Sequence, residues 1–452
     1  MRGRPVGGEE ALAALTVAAR SSINPSLLTI TRLAAALGDP QRELRVVQVA
    51  GTNGKGSTTR MVESLLRAHG ERAGAFTSPL LHDLTDHVLV DGERVTREAL
   101  GGGAASALEA AAWLGDDLPS PPTQFELLTA AALCVLRDAG VTWAVLEVGM
   151  GGRWDSTSVA TPDVAVVTSV GLDHMEFLGP TLGHIARDKA HVIRAGGVGV
   201  LGPGTAEVDP VFAERAAEVG ARLVRVLPTA AGDRGPMGAD EARFHVTRAI
   251  DAPDGTTVLD YVGPAGEHDG LGVPGPGYQA DNAACALTAT ALALGRPLDS
   301  ALTARALAQS AMPGRFEVLA RAPWLVVDVA HNPAGARVLA DAVERAFGGR
   351  RVTVVLGVLA DKDAGAVAEA LAPVATRFVV VRPESPRARD AADLAALVQE
   401  ATGCVPHIAP SVGSAIAEVR AAGEECVVTG SVVTVAEARV ACGAPGAGAD
   451  GG

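Results

Sequence analysis

The sequence predicts an α/β protein with two domains, each built on a mainly parallel β-sheet. Its 452 residues exceed the size of one usual core, and short apolar runs alternate with helical segments along most of the chain. A content of 48% hydrophobic and 20% charged residues is typical of a chain that buries large cores. We expect a larger domain over residues 1–310, a smaller doubly wound domain over residues 311–442, and a flexible Gly-rich tail over residues 443–452.

In the first domain, apolar runs of four to seven residues predict buried strands, because they are too short for helices and end at turn residues. These strands are expected at residues 45–50, 73–77, 143–148, 164–170 and 198–201. Helices are expected within residues 11–19 and at 58–69, 125–138 and 281–294. Shorter runs between residues 222 and 262, separated by Gly and Pro, predict an antiparallel edge.

The chain changes character around residues 312–314 (Met-Pro-Gly), after which strands and helices alternate regularly. Strands are expected at 325–329, 352–356, 377–381, 405–409 and 426–429, and helices at 334–347, 364–371, 391–401, 412–421 and 435–440. This alternation predicts a second, Rossmann-like parallel sheet.

Composition excludes several classes of protein. A net charge of -14 argues against nucleic acid as the main partner, and five cysteines without a C-x-x-C pair indicate neither a zinc site nor a disulfide framework. No run reaches the roughly 20 apolar residues of a membrane helix, and Glu9 and Glu10 argue against a secretion signal. We expect a cytoplasmic protein that acts on small molecules.

Lysine is rare: three of the 38 basic residues are lysine, namely Lys55, Lys189 and Lys362. A compact, titratable ammonium cannot be exchanged freely for a planar guanidinium. Codon bias, with three lysines retained by chance, is the simpler explanation of this scarcity. The role of each lysine therefore has to be judged from the residues around it.

A glycine-rich loop lies between the strand at 45–50 and the following helix, where backbone N–H groups commonly bind phosphates. The loop is a variant of the usual phosphate loop, because Gly56 separates Lys55 from Ser57. Lys55 would neutralise the β- and γ-phosphates of ATP, and Ser57 or Thr58 would face Mg²⁺. A chance Gly-rich turn is the weaker reading, and no N-K-x-D sequence is present for guanine. The expected nucleotide-binding residues of this P-loop-type ATPase domain are Gly51, Thr52, Asn53, Gly54, Lys55, Gly56, Ser57 and Thr58.

Residues 49–58 (VAGTNGKGST) resemble the signature of the folylpolyglutamate synthase and dihydrofolate synthase family, within the Mur ligase superfamily. Further motifs follow in the family's order and cover residues 25–440, and all three lysines lie inside them. These motifs are residues 77–79, 125–129, 147–155, 172–174, 177–179, 185–190, 281–283, 313–315, 328–333, 361–363 and 430–431.

The resemblance implies an ATP-dependent ligase that activates a carboxylate as an acyl phosphate and joins it to glutamate. Because the family is often monomeric, the resemblance also implies a monomer. It implies that Ser78 and Glu147 hold a first Mg²⁺, an ion that prefers oxygen ligands. It also implies that His174 and a carbamylated Lys189 serve a second Mg²⁺. The structural alternatives are a loop or capping carboxylate for Glu147, a lone structural histidine, and a helix salt bridge for Lys189.

Other site residues also follow from the resemblance, and helix capping is the structural alternative for Asp361 and Asn282. Asn282 would face adenine, and Lys362 would act near the acyl phosphate, where the incoming amino acid binds. The remaining expected residues are Arg315, Asp328 and His331 for phosphate and ribose, Asp361 and Ser431 for the amino acid, and Phe125 and Asp155 for the pterin side.

The match departs from the family's pattern in the segment at residues 83–88, where the family commonly has an Asn-Glu-Arg-Ile-like stretch and this chain has no arginine. Ser158 stands where Asn is frequent, Val329 where Gly is frequent, and Val433 where an aromatic residue is common. Three functions follow: a folate ligase making dihydrofolate, polyglutamates or both, through the α- or γ-carboxylate; a divergent ligase for another carboxylic acid; and a non-catalytic nucleotide-binding regulator. The retained lysines and metal positions disfavour the regulator.

Overall fold

The structure, a computed structural model, describes residues 7–17, 25–78, 80–230 and 238–444. It confirms the predicted α/β class, with one large sheet and one smaller, mainly parallel sheet. Most of the tail predicted at residues 443–452 and the end of the run predicted at 11–19 lie outside the described residues.

Helices and strands alternate along much of the chain. The helices are α1 Gly8–Val17, α2 Leu28–Ala36, α3 Lys55–Ala68, α4 Arg97–Leu114, α5 Gln124–Asp138, α6 Met175–Leu178, α7 Leu182–Ala190, α8 Asp209–Val219, α9 Tyr278–Leu294, α10 Ser300–Ala308, α11 Pro333–Ala346, α12 Ala364–Leu371, α13 Ala391–Thr402, α14 Val412–Ala421 and α15 Val432–Ala441. The strands are β1 Arg45–Ala50, β2 Ala73–Phe76, β3 Val88–Val90, β4 Glu93–Arg94, β5 Trp143–Glu147, β6 Val164–Ser169, β7 Val198–Gly204, β8 Arg222–Pro228, β9 Glu241–Arg248, β10 Thr256–Gly263, β11 Gly266–Pro274, β12 Glu317–Arg321, β13 Trp324–Val327, β14 Val352–Leu356, β15 Ala375–Val380, β16 His407–Ile408 and β17 Cys426–Thr429.

The large sheet has the strand order β11-β10-β9-β8-β7-β6-β1-β5-β2-β3-β4. Strand β1 lies between β5 and β6 and is parallel to both, and its last five residues are buried. Burial on both faces explains why β1 reads as a nearly continuous apolar run. Because β1, β2 and β5 are parallel, their carboxyl ends meet at one edge of the sheet, where ligands of such folds usually bind.

The edge predicted as antiparallel over residues 222–262 is only partly so. Strand β8 is parallel to β7, and β9 is parallel to β8, so the prediction is wrong there. Helix α8 connects β7 to β8 and makes this pair a parallel crossover. Strands β10 and β11 are joined by two residues, a connection that only antiparallel neighbours permit.

The smaller sheet has the strand order β12-β13-β17-β14-β15-β16. Five of its strands are parallel, as predicted, and β12 is an additional antiparallel neighbour of β13. Its core packs Val and Leu side chains of β14 and β15 against the buried faces of α11, α12 and α13.

The described residues form two compact units. The first comprises those up to residue 245 together with 261–269 and 281–307, and the second comprises 246–260, 270–280 and those from 308 to 444. The domain boundary at residues 310/311 stays a prediction. Among the described helices, none has both the length and the apolar character needed to cross a membrane.

Candidate active site

The glycine-rich loop connects β1 directly to α3, and two of its glycines are required by their backbone geometry. Gly51 and Gly54 have φ angles of 152° and 87°. A Cβ atom would collide with the Thr168 hydroxyl at Gly51 and with the Asn282 side-chain oxygen at Gly54. Gly54 is also the N-cap of α3 and offers no side chain to cap the helix, an arrangement that favours a bound anion at the helix start.

Hydrogen bonds from the end of β6 also fix the glycine-rich loop. The carbonyl of Asn53 accepts hydrogen bonds from Thr168 Oγ1 at 2.6 Å and from Ser169 Oγ at 3.0 Å. The Asn53 N–H in turn donates to Ser169 Oγ. The loop is therefore fixed before a ligand arrives, which lowers the entropy cost of binding one.

Two of the three lysines converge on one backbone carbonyl. Lys55 Nζ donates to the carbonyl oxygen of Gly51 at 3.1 Å and to that of Thr52 at 3.2 Å. Lys189 Nζ, which belongs to α7, donates to the same Gly51 oxygen at 3.0 Å. The structure thus brings together two lysines that are far apart in the sequence.

Lys189 is buried, and its pKa is lowered to about 7. Burial is the main cause, because it disfavours the charged form, and the positive charge of Lys55 adds to the effect. The carboxylates of Asp188, Asp173 and Asp155 oppose the shift. A substantial fraction of this amine is therefore neutral and nucleophilic near neutral pH.

Ser78 and Glu147 lie side by side at the carboxyl ends of β2 and β5. The Ser78 N–H donates to Glu147 Oε2 at 2.9 Å, and Glu147 is buried. Ser57 is buried in the first turn of α3. Carboxylate and hydroxyl oxygens fit Mg²⁺ or Mn²⁺, which usually complete their shell with phosphate oxygens and water. In the described part of the chain no group of three or more His, Cys, Asp and Glu side chains forms a metal site by itself.

His174 follows β6 and takes the left-handed conformation, with a φ of 51°. Its Nε2 lies 3.8 Å from the Asp173 carboxylate. A non-glycine residue in this conformation is uncommon and often marks a functional position. Its role as a metal ligand stays a prediction.

Asn282, in the second turn of α9, lies against the phosphate loop. Its Oδ1 is 3.5 Å from Thr58 Oγ1 and contacts the position where Gly54 would carry a Cβ. The contact with adenine that the resemblance implies stays a prediction.

Asp155 holds its own loop together. One carboxylate oxygen accepts the N–H of Met150 at 3.0 Å, and the other accepts the N–H and the hydroxyl of Thr157 at 3.0 and 2.5 Å. Burial raises the pKa of Asp155, while these hydrogen bonds oppose the rise. The Phe125 ring, also predicted on the pterin side, packs 5.7 Å from the ring of Phe76. Both predicted acceptor residues therefore have structural roles as well.

We expect Asp155→Ala to lower the free energy of unfolding by about 1.5–3 kcal/mol, the range for losing hydrogen bonds to a charged group. If Asp155 also contacts the acceptor, the KM for the acceptor rises while the KM for ATP stays nearly unchanged. Chemical denaturation and steady-state kinetics measure both effects, with the exposed Asp138 replaced by alanine as the control. Unchanged stability would contradict the role of the internal hydrogen bonds, and equal rises in both KM values would contradict an acceptor-specific role.

Sequence reasoning missed Gln48, which links β1 to this loop. Its Nε2 donates to Thr157 Oγ1 and Ser158 Oγ, each at 3.0 Å, and Ser158 Oγ donates to the carbonyl of Gly152 at 2.6 Å. A single glutamine inside the apolar run of β1 was the sequence feature that could have indicated this buried hydrogen-bonding role.

The second unit contains two further groups of predicted site residues. Asp328 accepts hydrogen bonds from the Tyr278 hydroxyl at 3.1 Å, the Phe316 N–H at 2.8 Å and the Ala330 N–H at 2.9 Å. Burial raises the pKa of Asp328, and the Arg315 charge opposes that rise. His331 Nδ1 lies 3.0 Å from the carbonyl oxygen of Val329. Tyr278 is a partner that sequence reasoning missed.

The other group surrounds Lys362. Its Nζ lies 3.7 Å from the Asp361 carboxylate, which also pairs with Arg387 at 2.9 Å. Burial alone would raise the pKa of Asp361, but the charges of Arg387 and Lys362 outweigh it and lower the pKa. Ser431 is the N-cap of α15, accepting the Thr434 N–H at 3.1 Å. Arg387 was not found from the sequence.

The model of the Mur ligase middle domain matches residues 49–289, and the model of the Mur ligase glutamate ligase domain matches residues 314–432. Together with the two sheets, these matches place the chain in the Mur ligase class. Within that class, the chain belongs to the folylpolyglutamate synthase/dihydrofolate synthase family, as the relatives that follow show.

A Mycobacterium tuberculosis dihydrofolate synthase/folylpolyglutamate synthase is 35% identical over 455 residues, covering 93% of this chain and 91% of that protein. A probable bifunctional folylpolyglutamate synthase/dihydropteroate synthase of Halobacterium salinarum is 38% identical over 421 residues, covering 92% of this chain. This chain spans about half (49%) of the length of that second relative.

Solved structures agree over nearly the whole chain. The M. tuberculosis folylpolyglutamate synthase complexed with ADP and AMPPCP has a TM-score of 0.87 at 32% identity, covering 96% of this chain and 99% of that one. A bifunctional folylpolyglutamate synthase/dihydrofolate synthase from Yersinia pestis, complexed with AMPPNP and Mn ion, has a TM-score of 0.81 at 28% identity, covering 96% and 98%. Family members of this fold thus bind ATP analogues and a divalent metal.

Proposed function

We propose that the protein uses ATP and a divalent metal to join L-glutamate to dihydropteroate, to a reduced folate, or to both. The observation that carries the proposal is the meeting of Lys55 and Lys189 at the Gly51 carbonyl, beside the Ser78–Glu147 pair of the neighbouring strands. Folate ligase relatives of similar length support the choice of substrate.

In the proposed reaction, a carboxylate oxygen of the acceptor attacks the γ-phosphorus of ATP, and ADP leaves. The amine nitrogen of glutamate then attacks the acyl carbon, phosphate leaves, and the nitrogen loses a proton. Lys55 stabilises negative charge on the transferred phosphoryl group. Ser57, Ser78 and Glu147 would hold a divalent metal, which neutralises phosphate charge when it is bound.

Lys189 is proposed to carry a carbamate. Its neutral amine adds CO₂ and loses one proton, which places an anionic carboxylate on a side chain that lies near the ammonium of Lys55. The repulsion between Lys55 and the protonated form of Lys189 is replaced by an attraction between Lys55 and the carbamate. The carbamate oxygens could also ligate a second metal together with His174. The lowered pKa of Lys189 supports this chemistry.

In the second unit, Lys362, Asp361 and Ser431 are proposed to receive the incoming glutamate. Asp361 offers a carboxylate for its ammonium group, and Lys362 offers a cation for a carboxylate. Arg315, Asp328 and His331 of the second unit are proposed as nucleotide-binding residues. In the first unit, Asn282 is proposed to face adenine. The monomeric state stays a prediction.

A second candidate function is ligation of another carboxylic acid, which the unusual segment at residues 83–88 favours. A substrate panel with ATP, Mg²⁺ and L-glutamate, in which product mass is read, separates the two. We expect amide product with dihydropteroate or a tetrahydrofolate, and no phosphate release without an acceptor. Product only from an unrelated acid would contradict the folate proposal and support the second candidate.

A further inference from the structure

Residues 80–87 are organised around one carboxylate, that of Asp86. One of its oxygens accepts three consecutive backbone N–H groups, those of Leu81 at 3.3 Å, His82 at 2.7 Å and Asp83 at 3.1 Å. Asp83 in turn accepts the Thr85 N–H at 3.0 Å, which completes a capping box around a 3₁₀ turn. The departure from the family's sequence is thus a well-formed local structure.

The second oxygen of Asp86 accepts a hydrogen bond from Arg94 Nη1 at 2.7 Å. Arg94 ends β4, and the two side chains are only 14% (Asp86) and 22% (Arg94) exposed. Burial would raise the pKa of Asp86, but the His82 N–H and Arg94 outweigh it and lower the pKa. The Asp86 carboxylate is therefore paired with an arginine of the adjacent hairpin, outside residues 80–87.

The hydrogen bonds that Asp86 makes with Arg94 and with the N–H groups of residues 81–83, together called the Asp86 brace, are linked to the predicted metal and acceptor residues. The Thr77 hydroxyl donates to the carbonyl of Asp86 at 3.2 Å, and the His87 ring donates from Nδ1 to the Thr77 carbonyl at 2.6 Å. Thr77 immediately precedes Ser78. The His87 ring also packs 6.0 Å from the ring of Phe76, which in turn lies 5.7 Å from the ring of Phe125.

We propose that Asp86 and Arg94 are positioning residues that hold segment 80–87 as one wall of the site for the acceptor acid. The proposal rests on the ligase function proposed above. The pair determines how tightly an acid with an aromatic acyl part is bound, because it fixes the segment between Ser78 and the aromatic side chains. Arg94 acts through Asp86 rather than through contact with the reacting atoms.

Three variants test the pair. Asp86→Asn keeps an oxygen for the backbone N–H groups but turns an amide donor toward Arg94. Arg94→Met removes the charge and keeps the aliphatic stem, and Arg94→Lys restores the charge. Arg72→Met is the matched control, since Arg72 pairs at 3.6 Å with Asp91 in the turn of the same hairpin, where both side chains are about half exposed.

We expect Asp86→Asn and Arg94→Met each to raise the acceptor KM about tenfold or more, with kcat and the ATP KM changed less than about twofold. The double variant should be no worse than either single one, because the two residues form one unit. Arg94→Lys should recover most of the affinity, and Arg72→Met should behave like the wild type. Unchanged acceptor KM, additive losses, or equal losses in the control would overturn the proposal.

A second measurement does not depend on turnover. The amides of Leu81, His82 and Asp83 should exchange hydrogen slowly in the wild type and much faster in Asp86→Asn and Arg94→Met. Equal exchange in all variants would overturn the brace itself. An inactive wild type would contradict the proposed ligase function, whereas an active wild type with unaltered variants would contradict only the present proposal.

Discussion

Lys55→Ala is expected to remove nearly all ATP turnover, a loss of about 10²–10³-fold, while the fold stays intact. The ammonium of Lys55 lies over the glycine-rich loop, where its charge can serve the transferred phosphoryl group. Removing one such stabilising group typically costs about 10²–10³-fold in kcat. Acceptor-dependent ADP release measures the loss, and the melting temperature without nucleotide checks the fold.

Lys55→Arg tests whether the shape of the cation matters, because this variant keeps the positive charge. A guanidinium is planar and broader than an ammonium, and its charge is spread over three nitrogens, so it cannot replace the compact point charge that Lys55 Nζ places beside the Gly51 and Thr52 carbonyls. We therefore expect Lys55→Arg to fail as well, in a chain that otherwise uses arginine for nearly all its basic residues. Wild-type turnover in either variant would contradict the nucleotide site.

Replacing Lys189 by alanine is expected to remove most of the activity, by at least about a hundredfold, because an oxygen ligand of the second metal would be lost. Short-chain carboxylates such as acetate should restore part of it. The exposed Arg187, on the same helix, is the matched control, and Arg187→Ala should keep wild-type activity.

The dependence on pH and CO₂ tests the carbamate itself. The pKa of Lys189 is lowered to about 7, so the amine is mostly protonated below that pH and mostly neutral above it. Only the neutral amine adds CO₂, and activation by added bicarbonate should therefore rise as the pH increases through about 7. Activity independent of bicarbonate in a CO₂-depleted enzyme, or a plain ammonium in a high-resolution map with Mg²⁺, would contradict the carbamate.

Much of the fold could be predicted because local patterns agree with the tertiary structure. Strands β1, β14 and β17 have the predicted bounds, since each is a short apolar run between polar or turn residues. Helices α12 and α14 also have the predicted bounds, and each begins at a capping side chain, Asp363 or Ser411.

Helix α4 shows why other elements were missed. Three consecutive glycines, Gly101 to Gly103, argue against a helix by propensity. In the structure a Cβ at Gly101 would lie 2.9 Å from the Gly8 backbone of α1, and one at Gly103 would lie 2.8 Å from the carbonyl of Ala131 in α5. The glycines are there because helices pack closely, which is tertiary information that a local pattern does not carry.

The candidate site likewise has features that the sequence predicts and features that depend on tertiary contacts. The positions of the loop residues, Ser78 and Glu147 at the carboxyl ends of strands could be predicted, because each follows or ends a recognisable strand, and their roles stay predictions. The shared carbonyl of Lys55 and Lys189 was not, because the two residues come from different helices. The bonds inside the Asp155 loop and the pairing of Asp86 with Arg94 also depend on contacts that sequence spacing does not specify.

In the proposed reaction, ATP activates the acceptor carboxylate as an acyl phosphate. The most direct measurement uses an acceptor whose carboxylate carries a heavy oxygen isotope, with ATP, Mg²⁺ and L-glutamate. We predict that one labelled oxygen appears in the inorganic phosphate for each amide formed, because the acceptor oxygen that attacks phosphorus leaves with the phosphoryl group. Unlabelled phosphate, or release of AMP in place of ADP, would contradict the account.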